Sequence, residues 1–403
     1  MSTQAPAATT GTRPVLEIFA AFLKLGLTSF GGPVAHLGYF REEFVARRRW
    51  LDEAAYADLV ALCQFLPGPA SSQVGMSLGI LRAGIPGALA AWFAFTMPSA
   101  VLLVLFAYGV RTYSALVDGG LFHGLKVVTV AVVAQAVWSM GRTLCPDRQR
   151  LTIAVVSAGL LLLWPGTLAQ IIVIGVAGLV GWWLTFPGHA PGTEIERVPV
   201  SRMSATVAAV LFLTLLALLP LAAGETGADG LRMFDSFYRT GALVFGGGHV
   251  VLPLLQAEVV PRGWVGNDAF LAGYGAAQAV PGPLFTFAAY LGASMRVEPN
   301  GWLGAGLCLA AIFLPSLLLV IAALPHWHRL RANRSTRSAL AGVNAAVVGL
   351  LLAALYQPVC TSAIGSARDF ALALAAFLLL AVWRVSPWIV VVATAVGGAV
   401  LAR

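Results

Sequence analysis

Apolar residues run through this chain in long stretches, separated by short clusters of Arg, Pro, Gly and polar residues. The apolar runs are 15–34, 57–80, 84–109, 120–140, 151–164, 167–186, 204–223, 235–255, 268–294, 301–324, 339–356, 369–383 and 387–402. A helix rises about 1.5 Å per residue, so about 20 residues cross roughly 30 Å of hydrocarbon, and most runs approach that length. The alternation of a barrel strand is absent, and lipid tolerates only helices or closed barrels as spanning structures. The pattern predicts an all-α polytopic transmembrane bundle of about thirteen spans. Runs 151–164 and 387–402 are short enough that each could instead form a tight hairpin with its neighbour.

Composition reinforces this reading. Of 403 residues, 59% are hydrophobic and 10% charged, against about 25% charged in a soluble domain, so the chain could not cover a water-facing surface. The formal charge of +8 sits in clusters between spans, such as Arg47-Arg48-Arg49 and Arg329, Arg331, Arg334 and Arg337. Such clusters are topology signals and do not imply nucleic acid. Cys63, Cys145, Cys308 and Cys360 are far apart with no His at ligand spacing, so they read as small apolar residues, and neither metal nor cofactor is expected. Thirteen crossings place thirteen arginines on the face of the N-terminus and nine on the other, favouring a cytoplasmic N-terminus. The Arg41–Arg49 cluster is the outlier, and fits better if run 15–34 is re-entrant. Residues 1–14 read as a disordered tail without a cleaved signal.

The chain is internally duplicated. Phe30-Gly31-Gly32 recurs as Phe245-Gly246-Gly247, and Glu43 as Glu258, both at an offset of 215 residues. Gln64 and Pro67-Gly68-Pro69 recur as Gln278 and Pro281-Gly282-Pro283 at 214, and Pro98-Ser99 as Pro315-Ser316 at 217. The expected units are a first repeat over 15–186, a linker with an odd span over 187–234, and a second repeat over 235–403. If run 204–223 crosses, the second repeat enters from the opposite side, as in inverted-repeat transporters whose substrate sits near the midplane. If it does not cross, the repeats are parallel.

Three sets of residues are candidates for chemistry. The twin Pro-Gly-Pro motifs break helices inside apolar runs, and such irregular backbone survives in a membrane only against protein or a wet cavity. They are expected to hinge the molecule. Ser71, Ser72 and Gln73 after the first break would open a new helix whose free amides and positive end suit an oxyanion. The second break has fewer hydroxyls. A structural kink is the bland alternative. The Phe-Gly-Gly motifs permit close approach of a ligand or of another helix. Lys24 and Arg239, again 215 apart, are intramembrane cations, rare unless they face a cavity or a partner. They would form a basket for an anion, or else pair with Glu17 and Asp235. His36, His249, Arg41, Glu43 and Glu258 are possible coupling or gating groups, with structural hydrogen bonds and salt bridges as the plainer reading.

These motifs together resemble the chromate ion transporter (CHR) family in its long two-domain form. The stretch Phe30-Gly31-Gly32-Pro33, Arg41-Glu42, Trp50-Leu51, Gln64 and Pro67-Gly68-Pro69 is similar to its N-terminal domain. Phe245-Gly246-Gly247-Gly248-His249, Trp264 and Gln278 to Pro283 are similar to its C-terminal domain. The resemblance implies inverted halves and a bacterial inner-membrane exporter of chromate, exchanging it for sulfate or coupled to protons. It places the functional positions on Lys24, Phe30, Gly31, Gly32, Arg41, Gln64, Pro67, Gly68 and Pro69. Contacts between two copies are a further expectation. The chain is not expected to be an enzyme: catalytic clusters are absent and no GxxxxGK[ST] nucleotide loop occurs. A sulfate carrier or an anion channel is the alternative.

Overall fold

A computed structural model describes residues 12–112, 119–184, 199–327 and 333–401. The expected N-terminal tail and the polar linker after residue 187 lie mostly outside the described residues. Among those described the chain is helical and has no strand. Six of its helices are long and apolar enough to cross a membrane.

The first repeat begins with α1 (Thr12–Thr28) and α2 (Gly32–Phe40), the latter extended by a π-helical turn, Arg41–Arg47. Phe22 of α1 stacks on Phe44 with ring centroids 4.8 Å apart. A continuous helix would separate these residues by about 33 Å, so α1 and α2 fold back on each other about Phe30-Gly31-Gly32. Next, α3 (Glu53–Phe65) and the first limb of α4 (Ala70–Thr112) repeat the manoeuvre about Pro67-Gly68-Pro69. Cys63 Sγ lies 3.7 Å from Ser77 Oγ, where an unbroken helix would hold them about 21 Å apart. Asp52 caps α3 by accepting from the Ala55 N–H. Non-helical dihedrals at Ala83 and Gly84 then divide α4 into limbs 70–82 and 85–112.

Three helices joined by three-residue turns complete the repeat: α5 (Gly120–Leu144), α6 (Arg148–Leu163) and α7 (Thr167–Leu184). The odd helix α8 (Arg202–Thr226) follows, largely exposed along its apolar length.

The second repeat has the same order. Helices α9 (Asp229–Leu243) and α10 (Val251–Val259) fold back about Phe245-Gly246-Gly247, bringing Arg239 to Glu258 at 3.3 Å. Helices α11 (Asn267–Ala277) and α12 (Phe287–Ser294) fold back about Pro281-Gly282-Pro283, and the Tyr290 hydroxyl donates to the Ala269 carbonyl at 2.8 Å. Then come α13 (Gly301–Ala323), α14 (Arg334–Ala354), α15 (Ala367–Phe377) and α16 (Pro387–Leu401). The windows 15–34, 57–80, 235–255 and 268–294, expected as four spans, are therefore limbs of four hairpins. The physical reason is the same at each: adjacent glycines or paired prolines end one helix and let the chain reverse.

The repeats are interlocked and inverted. Along α7 and α14, Ala177 and Gly181 face Gly342, while Gly178 faces Val343 and Gly181 faces Ser338, so the two helices run antiparallel. In the same way α16 lies antiparallel on α5, with Gly124 against Thr394 and Ala395 and Gly398 against Gly120. The tight turns around α6 make α5 parallel to α7. Hence α5 runs opposite to α14, its own counterpart in the second repeat. The core follows the hairpins: Phe22, Phe40, Phe44 and Phe95 fill the first pair, and Phe270, Phe287 and Tyr290 the second.

Candidate functional site

The four hairpin tips converge, and each tip meets one from the other repeat. Gly68 of the first Pro-Gly-Pro donates its N–H to the carbonyl of Val244, just before the second Phe-Gly-Gly, at 2.6 Å. Reciprocally, the Gly282 N–H donates to the carbonyl of Ser29, just before the first Phe-Gly-Gly, at 2.9 Å. Pro33 and Gly248, equivalent positions in the two repeats, approach each other: a β-carbon on Gly248 would stand 3.4 Å from the Pro33 ring. Equivalent residues touch only near an axis relating the repeats, so the breaks surround that axis.

Glycine is required at the Pro-Gly-Pro turns on two grounds. Gly68 has φ 122° and Gly282 φ 95°, a region L-residues rarely enter. A β-carbon on Gly68 would also collide with Ser316 Oγ and stand 2.7 Å from Gln73 Nε2, and one on Gly282 would stand 2.9 Å from Ser99 Oγ. Each Pro-Ser pair of a long helix thus covers the Pro-Gly-Pro glycine of the opposite repeat.

Polar atoms are concentrated here without partners. Among the described residues, the buried Oγ atoms of Ser29, Ser72 and Ser316, Thr96 Oγ1 and Gln73 Oε1 make no hydrogen bond. Buried polar atoms are ordinarily paired, so a cluster of exceptions marks a place where something else binds. The limb 70–82 points its N-terminus into this cluster. The first amides of a helix lack intrahelical acceptors, and here the first ladder bond runs from the Gln73 N–H to the Pro69 carbonyl. Gln73 steadies the turn by donating from Nε2 to the Pro67 carbonyl at 2.7 Å. His36 is buried beside Phe95, with Nδ1 3.4 Å from Ser71 Oγ and Nε2 3.2 Å from the Ser29 carbonyl.

The equivalent region of the second repeat is more fully bonded, with only Thr96 Oγ1 left unpartnered beside it among the described residues. Thr286 Oγ1 donates to the Pro283 carbonyl at 2.7 Å, and Ser99 Oγ donates to the Thr96 carbonyl at 3.1 Å. The neighbours of Thr286 are Phe285 and Phe287, both buried.

A second pair of equivalent features lies towards the hairpin bases. Glu43 accepts from Lys24 at 3.3 Å, Arg47 at 3.1 Å and Arg48 at 2.8 Å. Glu258 accepts from Arg239 at 3.3 Å, Arg262 at 3.0 Å and Ser236 at 2.8 Å. Arg239 also pairs with Asp235 at 2.8 Å. Lys24 sits six residues before Phe30, about 9 Å along a helix axis.

A sequence model of the family "Chromate transporter" matches residues 16–182 and 231–399. The chain belongs to that family. The chromate transport protein of Pseudomonas aeruginosa is 29% identical over 83% of this chain and 79% of its own length. The chromate transport protein of Cupriavidus metallidurans is 25% identical over 86% of this chain and 83% of its own. An uncharacterized transporter of Bacillus subtilis is 32% identical over 119 residues, only 29% of this chain. No solved structure matches.

In this chromate transporter family member, the residues singled out by sequence are divided between two places. Gly31, Gly32, Pro67, Gly68, Pro69, Ser71, Ser72 and Gln73 assemble at the tips with Gly246, Gly247, Gln278, Pro281, Gly282 and Pro283. Phe30 packs on Trp388 of α16 at 6.3 Å, and Phe245, in the second Phe-Gly-Gly, is half-buried. Gln64 is exposed on α3 and does not share the surroundings of Gln278. Lys24 and Arg239 are held by carboxylates towards the hairpin bases; Arg239 takes Asp235, the alternative partner weighed for it, whereas Lys24 takes Glu43 and Glu17, its alternative, takes Arg48 and Arg82. Arg41 forms an exposed pair with Glu53 at 2.6 Å. His249 faces the Tyr274 hydroxyl at 2.9 Å. Ser29, Thr96 and Ser316 were not singled out as site residues. For Ser316 the signal was present, since Pro-Ser is part of the repeat.

Proposed function

We propose that this protein exports chromate by alternating access, binding the oxyanion at the hairpin tips and exchanging it for sulfate or coupling it to protons. The observation that carries the reading is the ring of unpartnered buried polar atoms around the N-terminus of limb 70–82, where reciprocal hydrogen bonds join the repeats. A tetrahedral dianion accepts hydrogen bonds on every face. Helix amides and hydroxyls in a low-dielectric setting supply donors without introducing a buried counter-charge. The Pro-Gly-Pro turns hinge the site: rocking one repeat against the other breaks and remakes the Gly68 and Gly282 bonds.

Lys24, half exposed in a cluster with excess positive charge, fits a steering role in this scheme, raising the local concentration of anions without holding them. Arg239, neutralised by Asp235 and Glu258, instead ties the limbs of its hairpin together. His36, beside Ser71, is the group best placed to couple a proton, and Glu43 and Glu258 to gate the hairpin bases.

Orientation follows from the hairpins. If all four return to the side they entered, nine crossings remain, and the N-terminus and C-terminus lie on opposite faces. Among the described side chains, Arg41, Arg47, Arg48, Arg49, Arg82, Arg142, Arg148, Arg150, Arg202, Arg337 and Arg384 then share the face of the N-terminus. Arg111, Arg232, Arg262, Arg296 and Arg368 lie on the other. This asymmetry supports a cytoplasmic N-terminus in a bacterial inner membrane.

The test is radiolabelled chromate flux in proteoliposomes, with sulfate, chromate, a pH gradient or nothing on the opposite side. The reading expects saturable flux accelerated by at least one of those gradients. Unsaturable flux indifferent to all of them would mean a channel. Faster sulfate than chromate exchange would identify a sulfate carrier.

A further inference from the structure

We propose that Ser316 is the hydroxyl by which the second repeat binds the oxyanion held at the first repeat's Pro-Gly-Pro break, so that the molecule has one composite site. This rests on the tips being the substrate site and adds a residue to it. Ser316 belongs to α13, far from the break in sequence, yet it is fully buried and its Oγ covers Gly68 so closely that no β-carbon fits there. That Oγ has no hydrogen-bond partner, and Ser72 Oγ and Gln73 Oε1, on the helix turn that follows Gly68, are unpartnered too. Ser72 and Gln73 are 2% and 0% exposed. A buried hydroxyl left unpaired is costly, and an oxyanion seated on the free amides of Ala70, Ser71 and Ser72 would satisfy it.

The equivalent residue isolates the argument. Ser99 covers Gly282 as Ser316 covers Gly68, but its hydroxyl is engaged by the Thr96 carbonyl. The turn after Gly282 offers Phe285, Thr286 and Phe287 in place of Ser71, Ser72 and Gln73, and its one hydroxyl is bonded to Pro283. The two serines have the same packing role, and only Ser316 has a donor to give.

The experiment compares Ser316→Ala with Ser99→Ala in proteoliposomes, reading chromate KM and maximal rate, with melting temperature of the purified proteins as a check on folding. Loss of a hydrogen bond to a charged acceptor predicts a KM raised about tenfold or more in Ser316→Ala. Ser99→Ala should leave KM within about twofold, and Ser316→Thr, which keeps the hydroxyl, should restore it. If Ser316→Ala does not accumulate, Ser316→Gly removes the same hydroxyl with less bulk. An unchanged KM in Ser316→Ala, or an equal rise in Ser99→Ala, overturns the proposal. Wild-type vesicles without saturable chromate uptake would defeat the transport reading instead. Equilibrium dialysis of radiolabelled chromate against the same purified proteins then decides Ser316 alone, and equal affinity of wild type and Ser316→Ala refutes it.

Discussion

Glu43 and Glu258 are equivalent residues with the same kind of partners, yet their surroundings differ. Glu258 is joined by Arg239 and Arg262, 17% and 40% exposed, whereas Glu43 is joined by Arg48, Lys24 and Arg47 at 27%, 54% and 62%. Removing one member of a buried ion pair strands the other and costs about 3–5 kcal/mol, whereas an exposed pair contributes about 0–1 kcal/mol. Arg239 keeps Asp235 when Glu258 is lost, so Glu258→Gln is expected to lower stability by about 2 kcal/mol and Glu43→Gln by about 1 kcal/mol. Thermal or denaturant unfolding of the purified variants reads this difference, and equal losses would show that exposure does not distinguish the two clusters. The sequence announced these charges by their common offset but not their partners. A seven-residue spacing put Glu17 on the face of Lys24, while Glu43 reaches it only because the chain reverses at Gly31. Ser316 was visible as part of the repeated Pro-Ser, but its contact was not, because Gly68 is brought to it by folding.

At the scale of elements, the hairpins decide which loops share a face. Apolar length alone cannot tell a crossing from two half-helices that return, because both need about twenty lipid-compatible residues. Pro67-Gly68-Pro69 and Pro281-Gly282-Pro283 foretold the breaks; the reversal appears only in contacts such as Cys63 with Ser77 and Ala269 with Tyr290. The misplaced Arg41–Arg49 cluster was the one sequence signal of it. Single cysteines at Glu42 and Arg142 are expected to react with an impermeant thiol reagent from one face, and those at Pro261 and Arg368 from the other. The background would need Cys360 replaced, since Cys63, Cys145 and Cys308 are buried. Reaction at Glu42 and Arg142 from opposite faces would restore run 57–80 as a crossing.

At the scale of the molecule, inversion brings four tips to one axis, and the exchange of α7 and α16 between repeats ties the two together. Duplication was legible from the preserved order of its motifs at offsets of 214 to 217 residues, and the inverted sense from the odd span. The inequality of the two halves was legible only in part. Phe285 and Phe287 flagged a poorer second break, but the closing bonds of Thr286 and Ser99 depend on geometry that sequence does not carry. One site per chain, built from both repeats, is the consequence. Equilibrium dialysis of radiolabelled chromate against the purified wild-type protein measures this directly. Saturation at one chromate per chain, displaced by sulfate, is the predicted result; saturation at two per chain, or no saturable binding, would contradict it.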